Sequence, residues 1–314
     1  MSENTHLPVN DQWIESCRGN KNPVDQHRPY ALLVEKERTR SGRVEDVGII
    51  FLTNRECPYR CLMCDLWKNT TNETVADGSI PEQIRWALNQ MTGVHHIKLY
   101  NSGSFFDERA IPLSDYKAIA SLLNSYETVI VESHPRLIDD KCISFRKMLK
   151  PSLEVAIGLE TIHPEVLHKL NKKMTLADFK KAVGFLGRNG ISTRAFILLR
   201  PPFLNEEEGI MWAEKSIDFA FGAGVECCTV IPVRAGNGAM EKLSREGLFT
   251  SPSIRSLEKV LEYGITLKAG RVFADLWDLG LFSDCPLCQD RRKGRLMSMN
   301  LSQEIHDPVS CTCN

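Results

Sequence analysis

Three cysteines, Cys57, Cys61 and Cys64, stand within the eight residues Cys-Pro-Tyr-Arg-Cys-Leu-Met-Cys. Gaps of three and then two residues let one short loop wrap around a cubane iron–sulfur cluster, with one thiolate on each of three irons. A four-iron cluster held by protein alone needs four cysteines. The fourth iron is therefore left open to a small molecule, so we interpret the loop as a reaction centre rather than an electron relay.

Two other roles for these cysteines are weaker. Zinc sites usually combine a two-residue spacing with a distant second pair. Disulfides belong to oxidising compartments, and the polar residues after Met1 predict no signal peptide. No stretch approaches the ~18 apolar residues of a membrane span. We therefore expect the 11 cysteines to serve mainly metal binding in a reducing cytoplasm, away from membranes.

A second cysteine group lies near the end of the chain. It consists of two close pairs, separated by 22 residues: Cys285, Cys288, Cys311 and Cys313. Four thiolates predict a structural zinc site or an auxiliary iron–sulfur cluster, and both interpretations stay open. Between the pairs lies the basic stretch 291–295, Arg-Arg-Lys-Gly-Arg. It either grips phosphates or forms a solvated basic turn.

The elements that must position these groups alternate along the chain. Runs rich in branched apolar residues predict six buried strands at 47–52, 96–100, 128–131, 153–159, 191–199 and 225–233. Capping residues and helical spacing predict helices that begin near 79, 114, 137, 175, 205 and 253. Strict alternation of strand and helix requires a parallel sheet with right-handed crossovers.

We therefore predict an α/β fold, a partial (β/α)6 TIM-type barrel with a short C-terminal metal-binding extension. The predicted stretches are an irregular, partly helical leader at 1–45, the barrel at 46–275 and a cysteine-rich extension at 276–314. The composition of the 314 residues, 42% hydrophobic and 25% charged, is that of an ordinary globular protein. A net charge of −1 provides no global attraction to nucleic acid, which leaves only local patches for that role.

Candidate ligand-binding residues follow the predicted strands, because working groups of such barrels lie at the C-terminal strand ends. Ser102, Gly103 and Ser104 follow the second strand, where small residues let backbone amides approach a ligand; they also suit a plain turn. Glu132 and Glu160 lie at the ends of the third and fourth strands. A carboxylate in such a buried position is costly unless it has a partner.

The triplet after the first strand, followed by six strand–helix units, resembles the radical S-adenosylmethionine (SAM) superfamily. One departure is Met63, where many members carry an aromatic residue. The resemblance implies that Cys57, Cys61 and Cys64 bind a 4Fe-4S cluster whose open iron holds the amino and carboxylate groups of SAM. An electron donor such as flavodoxin or ferredoxin would reduce the cluster, and SAM would be cleaved to a 5′-deoxyadenosyl radical that abstracts hydrogen from substrate.

The same resemblance implies roles for the strand-end residues. Ser102, Gly103 and Ser104 would lie where the family holds the methionyl amino group of SAM. Glu132 and Glu160 would be candidates for polar contacts to SAM. The resemblance assigns no residue to the substrate, and it leaves the reaction type open among lyase, transferase and oxidoreductase.

Four further stretches, 101–107, 131–135, 157–161 and 201–204, resemble a subgroup near the Elongator catalytic subunit. That subgroup includes the radical subunit of archaeosine synthase, which cleaves a lysine-modified deazaguanine in transfer RNA (tRNA) to form an amidine. The resemblance implies a tRNA nucleoside as the substrate. The alternatives are a small-molecule or peptide substrate in a biosynthetic pathway and, from another class, a non-catalytic metal-binding adaptor.

Overall fold

The computed structural model describes residues 9–283 and 285–313. Within them, eight strands form one sheet in simple chain order from β1 to β8. The strands are β1 Ala31–Arg38, β2 Val44–Phe51, β3 His96–Tyr100, β4 Thr128–Ser133, β5 Ser152–Glu160, β6 Ser192–Leu199, β7 Cys227–Pro232 and β8 Arg271–Ala274. β1 is antiparallel to β2, and every later neighbour pair is parallel. The predicted α/β partial barrel is confirmed.

Helices cover the outer face of the sheet. The described residues contain α1 Asp11–Ser16, α2 Ser79–Leu88, α3 Tyr116–Leu123, α4 Asp140–Met148, α5 Pro164–Lys169, α6 Leu176–Arg188, α7 Glu206–Gly222, α8 Ala239–Arg245, α9 Ile254–Thr266 and α10 Gln289–Ser302. The main apolar core lies between these helices and alternate residues of the strands, such as Ile50, Leu99, Val131 and Ile157. Burial of such side chains is the largest favourable term in folding.

All six predicted strands are present, and two further strands extend the sheet. β8 has four residues, which is too short for a periodic pattern to reveal. β1 lies in the stretch predicted to be an irregular leader, and that prediction is wrong for Ala31–Arg38. The charged sequence of β1, ending Glu-Lys-Glu-Arg, does not look like a strand, because its buried residue Glu37 packs against basic residues of the barrel rather than in an apolar core. The division into three stretches at 45 and 275 stays a prediction.

A buried layer of charges crosses the barrel interior. Lys98 Nζ lies 2.6 Å from both Glu35 Oε1 and Glu37 Oε2, and Arg194 pairs with Glu37 and Glu154 at 2.6 and 2.7 Å. Burial alone would raise the pKa of Glu37, but Arg194 and Lys98 more than offset it and hold that pKa well below its usual range. Removing one partner of such a network would leave an uncompensated buried charge.

Helix α10 lies along the two edges of the sheet, contacting both β1 and β8. The Asn300 side chain accepts a hydrogen bond from Ala274 N and donates one to Ala274 O, both at 2.9 Å. Gln303, just after α10, pairs in the same way with Val272 at 2.8 Å. These two amides satisfy backbone groups of edge strand β8, where unpaired groups would otherwise invite another strand. We call this contact between β8 and the residues 300–303 the seam.

Candidate functional site

The three predicted cluster cysteines lie in the loop that follows β2, which we call the cluster loop (residues 57–64). Side chains from distant elements hold its backbone. Asn237, in the loop before α8, donates to Leu62 O at 2.7 Å and to Cys64 O at 3.2 Å. Asn171, in the loop after α5, donates to Arg60 O at 2.7 Å. The conformation of the cluster loop therefore depends on the connections that follow β5 and β7 as well as on its own sequence.

Each of the three thiols is partly buried. Burial raises the pKa of Cys57, Cys61 and Cys64 to about 12. Their sulfurs do not all lie within 4.8 Å of one another, so the three together do not enclose a single ion at Zn–S bond lengths. Three buried thiols in one loop form a donor set that suits an iron–sulfur cluster, whose positive irons offset the charge of the thiolates.

The predicted SAM-binding loop after β3 lies against the cluster loop. A Cβ atom added at Gly103 would stand 3.1 Å from Cys57 Cβ, so a larger residue would push the two loops slightly apart. Ser102 adopts a positive φ of 53°, and its hydroxyl lies 3.1 Å from the Tyr30 hydroxyl. Ser104 accepts a hydrogen bond from His134 N at 2.9 Å. The structure thus brings 102–104 to the first cluster cysteine.

Glu132, at the end of β4, fixes the backbone of the same loop. Its Oε1 accepts hydrogen bonds from Asn101 N at 2.6 Å and from Gly103 N at 3.4 Å. Burial raises the pKa of Glu132 to about 7, although these backbone donors partly oppose the rise. Glu132 therefore shapes the loop that approaches Cys57.

Glu160, at the end of β5, has the buried partner that its position requires. Lys172 Nζ lies 2.6 Å from Glu160 Oε1, and both side chains are under a tenth exposed. Glu160 has a φ of 65°, a conformation that is uncommon outside glycine. A Cβ added at Gly158 would stand 2.5 Å from Lys172 Nζ, so the glycine leaves room for this ion pair.

His134 is a structural link between two parts of the mouth of the barrel. Its ring stacks on Tyr59 of the cluster loop with a centroid distance of 3.8 Å, and its Nε2 lies 2.9 Å from Lys172 O. A carbonyl only accepts, so Nε2 carries the proton, and Nδ1 accepts from Arg136 N at 3.2 Å. Burial and the charge of Lys172 lower the pKa of His134 to about 3, which keeps the ring neutral.

The second cysteine group converges in space, and we call its members the tail cysteines. The sulfurs of Cys285 and Cys311 are 3.7 Å apart, and those of Cys288 and Cys313 are 3.6 Å apart. All four sulfurs lie within 4.8 Å of one another. For a Zn–S bond of about 2.3 Å, neighbouring corners of a tetrahedron are roughly 3.8 Å apart. The tail cysteines therefore have the spacing of ligands that share one tetrahedral ion.

Two arginines donate to sulfurs of this group. Arg292 Nε lies 3.4 Å from Cys288 Sγ, and Arg255 Nη2 lies 3.2 Å from Cys313 Sγ. Such hydrogen bonds orient metal ligands and temper the negative charge that four thiolates accumulate. They tie the group to α9 and α10.

The basic stretch 291–295 forms part of α10 rather than a turn. Arg292 and Arg295 are buried and both pair with Glu258 of α9. The predictions of a phosphate grip by all four cations and of a solvated turn are therefore both wrong. Only Arg291 and Lys293 of the four cations are exposed, because a helix presents alternate sides to its neighbour and to solvent.

The fold and the cluster loop together define an enzyme whose chemistry takes place at the C-terminal mouth of a partial barrel. The model of the Radical SAM superfamily matches residues 51–211, about half of the chain and all of the cluster loop. The chain belongs to the radical SAM superfamily. Membership implies a 4Fe-4S cluster and SAM, and it excludes the interpretation as a non-catalytic adaptor.

Two curated proteins are similar in sequence. An uncharacterised protein of Methanocaldococcus jannaschii is 25% identical over 313 residues, which cover 92% of this chain and 86% of that protein. Archaeosine synthase subunit beta of Thermococcus kodakarensis is 28% identical over 166 residues, which cover 50% of this chain and 51% of that protein. This chain thus aligns with about half of the Thermococcus subunit.

A solved structure of the archaeal Elp3 of Methanocaldococcus infernus, with residues 1–46 deleted, is similar in fold. Its TM-score is 0.53 at 16% identity, and the match covers 70% of this chain and 59% of that one. None of the helices in the described part of the chain has the length and apolar character that crossing a bilayer demands.

Sequence reasoning missed Lys172, Asn171, Asn237 and the role of His134. The Asn-Lys-Lys stretch 171–173 looks like a solvated polar turn, yet Asn171 and Lys172 are both buried. One signal was present: a buried Glu160 requires a cation, and Lys172 follows it twelve residues later in the chain. Asn237 gives no such signal, because its partners are backbone carbonyls 173 and 175 residues away.

Proposed function

We propose that this chain uses a radical derived from SAM to modify a nucleoside of tRNA. The observation that carries the proposal is the similarity to archaeosine synthase subunit beta. The barrel mouth adds support, because Arg109 and Arg136 are exposed on the loops after β3 and β4. Cations in these positions border the candidate SAM site, where they suit a polyanionic substrate.

We assign the site residues as follows. Cys57, Cys61 and Cys64 hold a 4Fe-4S cluster, which supplies the electron that cleaves SAM. The loop 102–104 receives the methionyl end of SAM, and Glu132 holds that loop in place through its amides. Glu160 contributes a polar contact to SAM. An external donor of the flavodoxin or ferredoxin class reduces the cluster.

The test uses the full chain, reconstituted anaerobically with iron and sulfide. SAM and reductant are added together with total tRNA, a metabolite extract or a peptide pool, and 5′-deoxyadenosine is measured by mass spectrometry. We expect tRNA alone to increase product formation and to show a mass change in one digested nucleoside. Cys61→Ser is the control for background cleavage. Stimulation by the metabolite or peptide pool, with indifference to every tRNA fraction, would overturn the tRNA substrate.

We also propose that the tail cysteines hold one structural zinc ion rather than an auxiliary iron–sulfur cluster. The sulfur separations of 3.6 and 3.7 Å support a single tetrahedral ion, since the thiolates of a cubane bind separate irons. Metal analysis of protein purified without reconstitution should find about one zinc per chain. That zinc should disappear in Cys288→Ser and persist in Cys61→Ser. Iron in place of zinc at this site would contradict the proposal.

A further inference from the structure

Lys172 is a buried cation beside the cluster loop. Its side chain is 9% exposed, and its ammonium lies 2.6 Å from Glu160 Oε1. Burial opposes the charge of Lys172, but the Glu160 carboxylate contributes most to outweighing burial, and the pKa of Lys172 is raised. The preceding residue, Asn171, donates a side-chain hydrogen bond at 2.7 Å to the carbonyl of Arg60, which directly precedes Cys61. Lys172 therefore follows a residue that is bound to the cluster loop.

Both ends of Lys172 are fixed in place. The backbone carbonyl accepts the Nε2 proton of His134, and that ring stacks on Tyr59 within the cluster loop. The ammonium end is held by Glu160. A lysine anchored at both ends loses the rotational freedom that normally weakens an ion pair at the surface. The position of its charge is thus coupled to the position of the loop.

The chain accommodates this pair at a conformational cost. Glu160 adopts a left-handed backbone conformation, and a side chain at 158 would collide with both charged groups. Strained residues and glycines that make room for charged groups concentrate at functional sites. We take the strain at Glu160 as a sign that the pair serves the site.

We propose that Lys172 is a positioning residue that favours reduction of the cluster, by holding Glu160 and by placing a positive charge beside the cluster loop. Reduction adds one electron from the external donor to a centre that already carries three thiolates. A nearby cation lowers the free energy of that added charge, and the effect is strong where water is excluded. An unpaired Glu160 would oppose reduction. Lys172 therefore favours reduction in two ways, through its own charge and by neutralising Glu160.

This inference rests on the cluster proposed at Cys57, Cys61 and Cys64. Its test is a redox titration of anaerobically reconstituted full-length protein, with mediators and the reduced-cluster signal followed by electron paramagnetic resonance. At the potential where the wild-type cluster is half reduced, we expect Lys172→Met to lower the ratio of reduced to oxidised cluster roughly tenfold. That ratio corresponds to a shift of 59 mV for one electron.

Three further variants separate charge from structure. Lys172→Arg keeps the charge and should retain the wild-type midpoint potential. Lys172→Met combined with Glu160→Gln leaves no unpaired buried charge, so it should fold, and its potential should lie between those of the wild type and Lys172→Met. Lys173→Met removes an exposed neighbouring charge and should change nothing.

The outcomes distinguish this inference from the proposal beneath it. Wild-type potentials in both Lys172→Met and the double variant would overturn the role of Lys172 while leaving the cluster site intact. A wild-type protein that binds no iron and gives no cluster signal would overturn the cluster site itself. A shift in Lys172→Arg as large as that in Lys172→Met would show that shape rather than charge matters, and would also overturn the inference.

Discussion

The cluster loop and the tail cysteines use the same side chain in opposite ways. The three cysteines of the loop do not form a group within 4.8 Å, whereas the four tail sulfurs do. Four sulfurs are enough to close a tetrahedral shell around one ion, and the three of the loop are not. A closed shell suits a structural ion, and an open one suits chemistry at the metal.

The electrostatic environments of the cluster loop and the tail cysteines also differ. Burial raises the pKa of the loop thiols to about 12. At the tail, hydrogen bonds from the backbone and side chain of Cys313 lower the pKa of Cys311 to about 6. The tail therefore stabilises the Cys311 thiolate with its own donors, whereas burial outweighs the donors near each loop thiol. This contrast agrees with the proposal that the tail holds a structural metal and that the loop holds a reactive one.

The strongest test of the contrast is Cys61→Ser. We expect it to remove the 4Fe-4S cluster, because only two thiolates remain, and to abolish SAM-dependent formation of 5′-deoxyadenosine. Iron analysis and the product assay measure the two effects. The tail zinc and the thermal unfolding midpoint (Tm) should stay near wild-type values. Cys17→Ser, a cysteine outside both groups, is the matched control, and equal loss of activity there would show that the assay reports general damage.

Alkylation of metal-free protein tests the electrostatic half of the contrast. At pH 7.5 iodoacetamide should modify Cys311 roughly 100-fold faster than the loop cysteines, because the reactive species is the thiolate, and the lower nucleophilicity of an acidic thiol recovers only part of the difference. Peptide mass spectrometry follows each site. Lowering the pH from 7.5 to 5 passes below the pKa of Cys311, so its rate should fall about tenfold. Uniform rates at all seven positions would contradict the prediction.

Cys288→Ser removes a ligand that is 1% exposed and tests the structural role of the tail. We expect loss of the zinc and a Tm lower by roughly 5–10 °C, since a structural metal stabilises only the folded state. The cluster should still assemble, as judged by iron content and absorbance. Loss of the cluster with an unchanged Tm would reverse the assigned roles of the two cysteine groups.

Asn300→Leu tests the seam with a smaller change. It leaves the amide and carbonyl of Ala274 without partners, which should cost about 1–3 kcal/mol of unfolding free energy. Chemical denaturation of the zinc-loaded protein measures the loss. Ser298→Ala, an exposed residue of the same helix, should change stability by less than about 0.5 kcal/mol. Equal stability of the two variants would show that the edge of β8 does not depend on Asn300.

Most of the barrel is predictable from sequence, because buried parallel strands are continuous apolar runs and their helices carry caps. Each of the predicted cofactor residues then follows a strand end, where the fold gathers ligand-binding groups. β1 escapes prediction because its buried residue is an acid, Glu37, whose burial is explained only by the opposite charges of Lys98 and Arg194. Charge partners on other strands are invisible until the strands are assembled.

The unpredicted parts of the site share one physical cause. Lys172, Asn171 and Asn237 are polar residues in loops, where polarity usually means exposure to solvent. Their partners are a carboxylate and backbone carbonyls brought close by the barrel, so their sequence context carries no pattern. Asn300 and Gln303 are similar, because their partners are backbone groups of β8 that any sequence would offer. A pattern of side chains predicts faces and periods, but not hydrogen bonds to distant backbone.

The seam has a consequence for the order in which the protein is built. Arg38, at the end of β1, also contacts residues 300–303, because its Nη1 donates to Leu301 O across 263 residues. This contact at the edge of the barrel can therefore form only after nearly the whole chain has been made. Until residues 300–303 have been synthesised, the side chains that pair with Ala274 and Val272 of β8 do not exist. The seam therefore depends on a stretch of chain that is made after every strand of the described sheet.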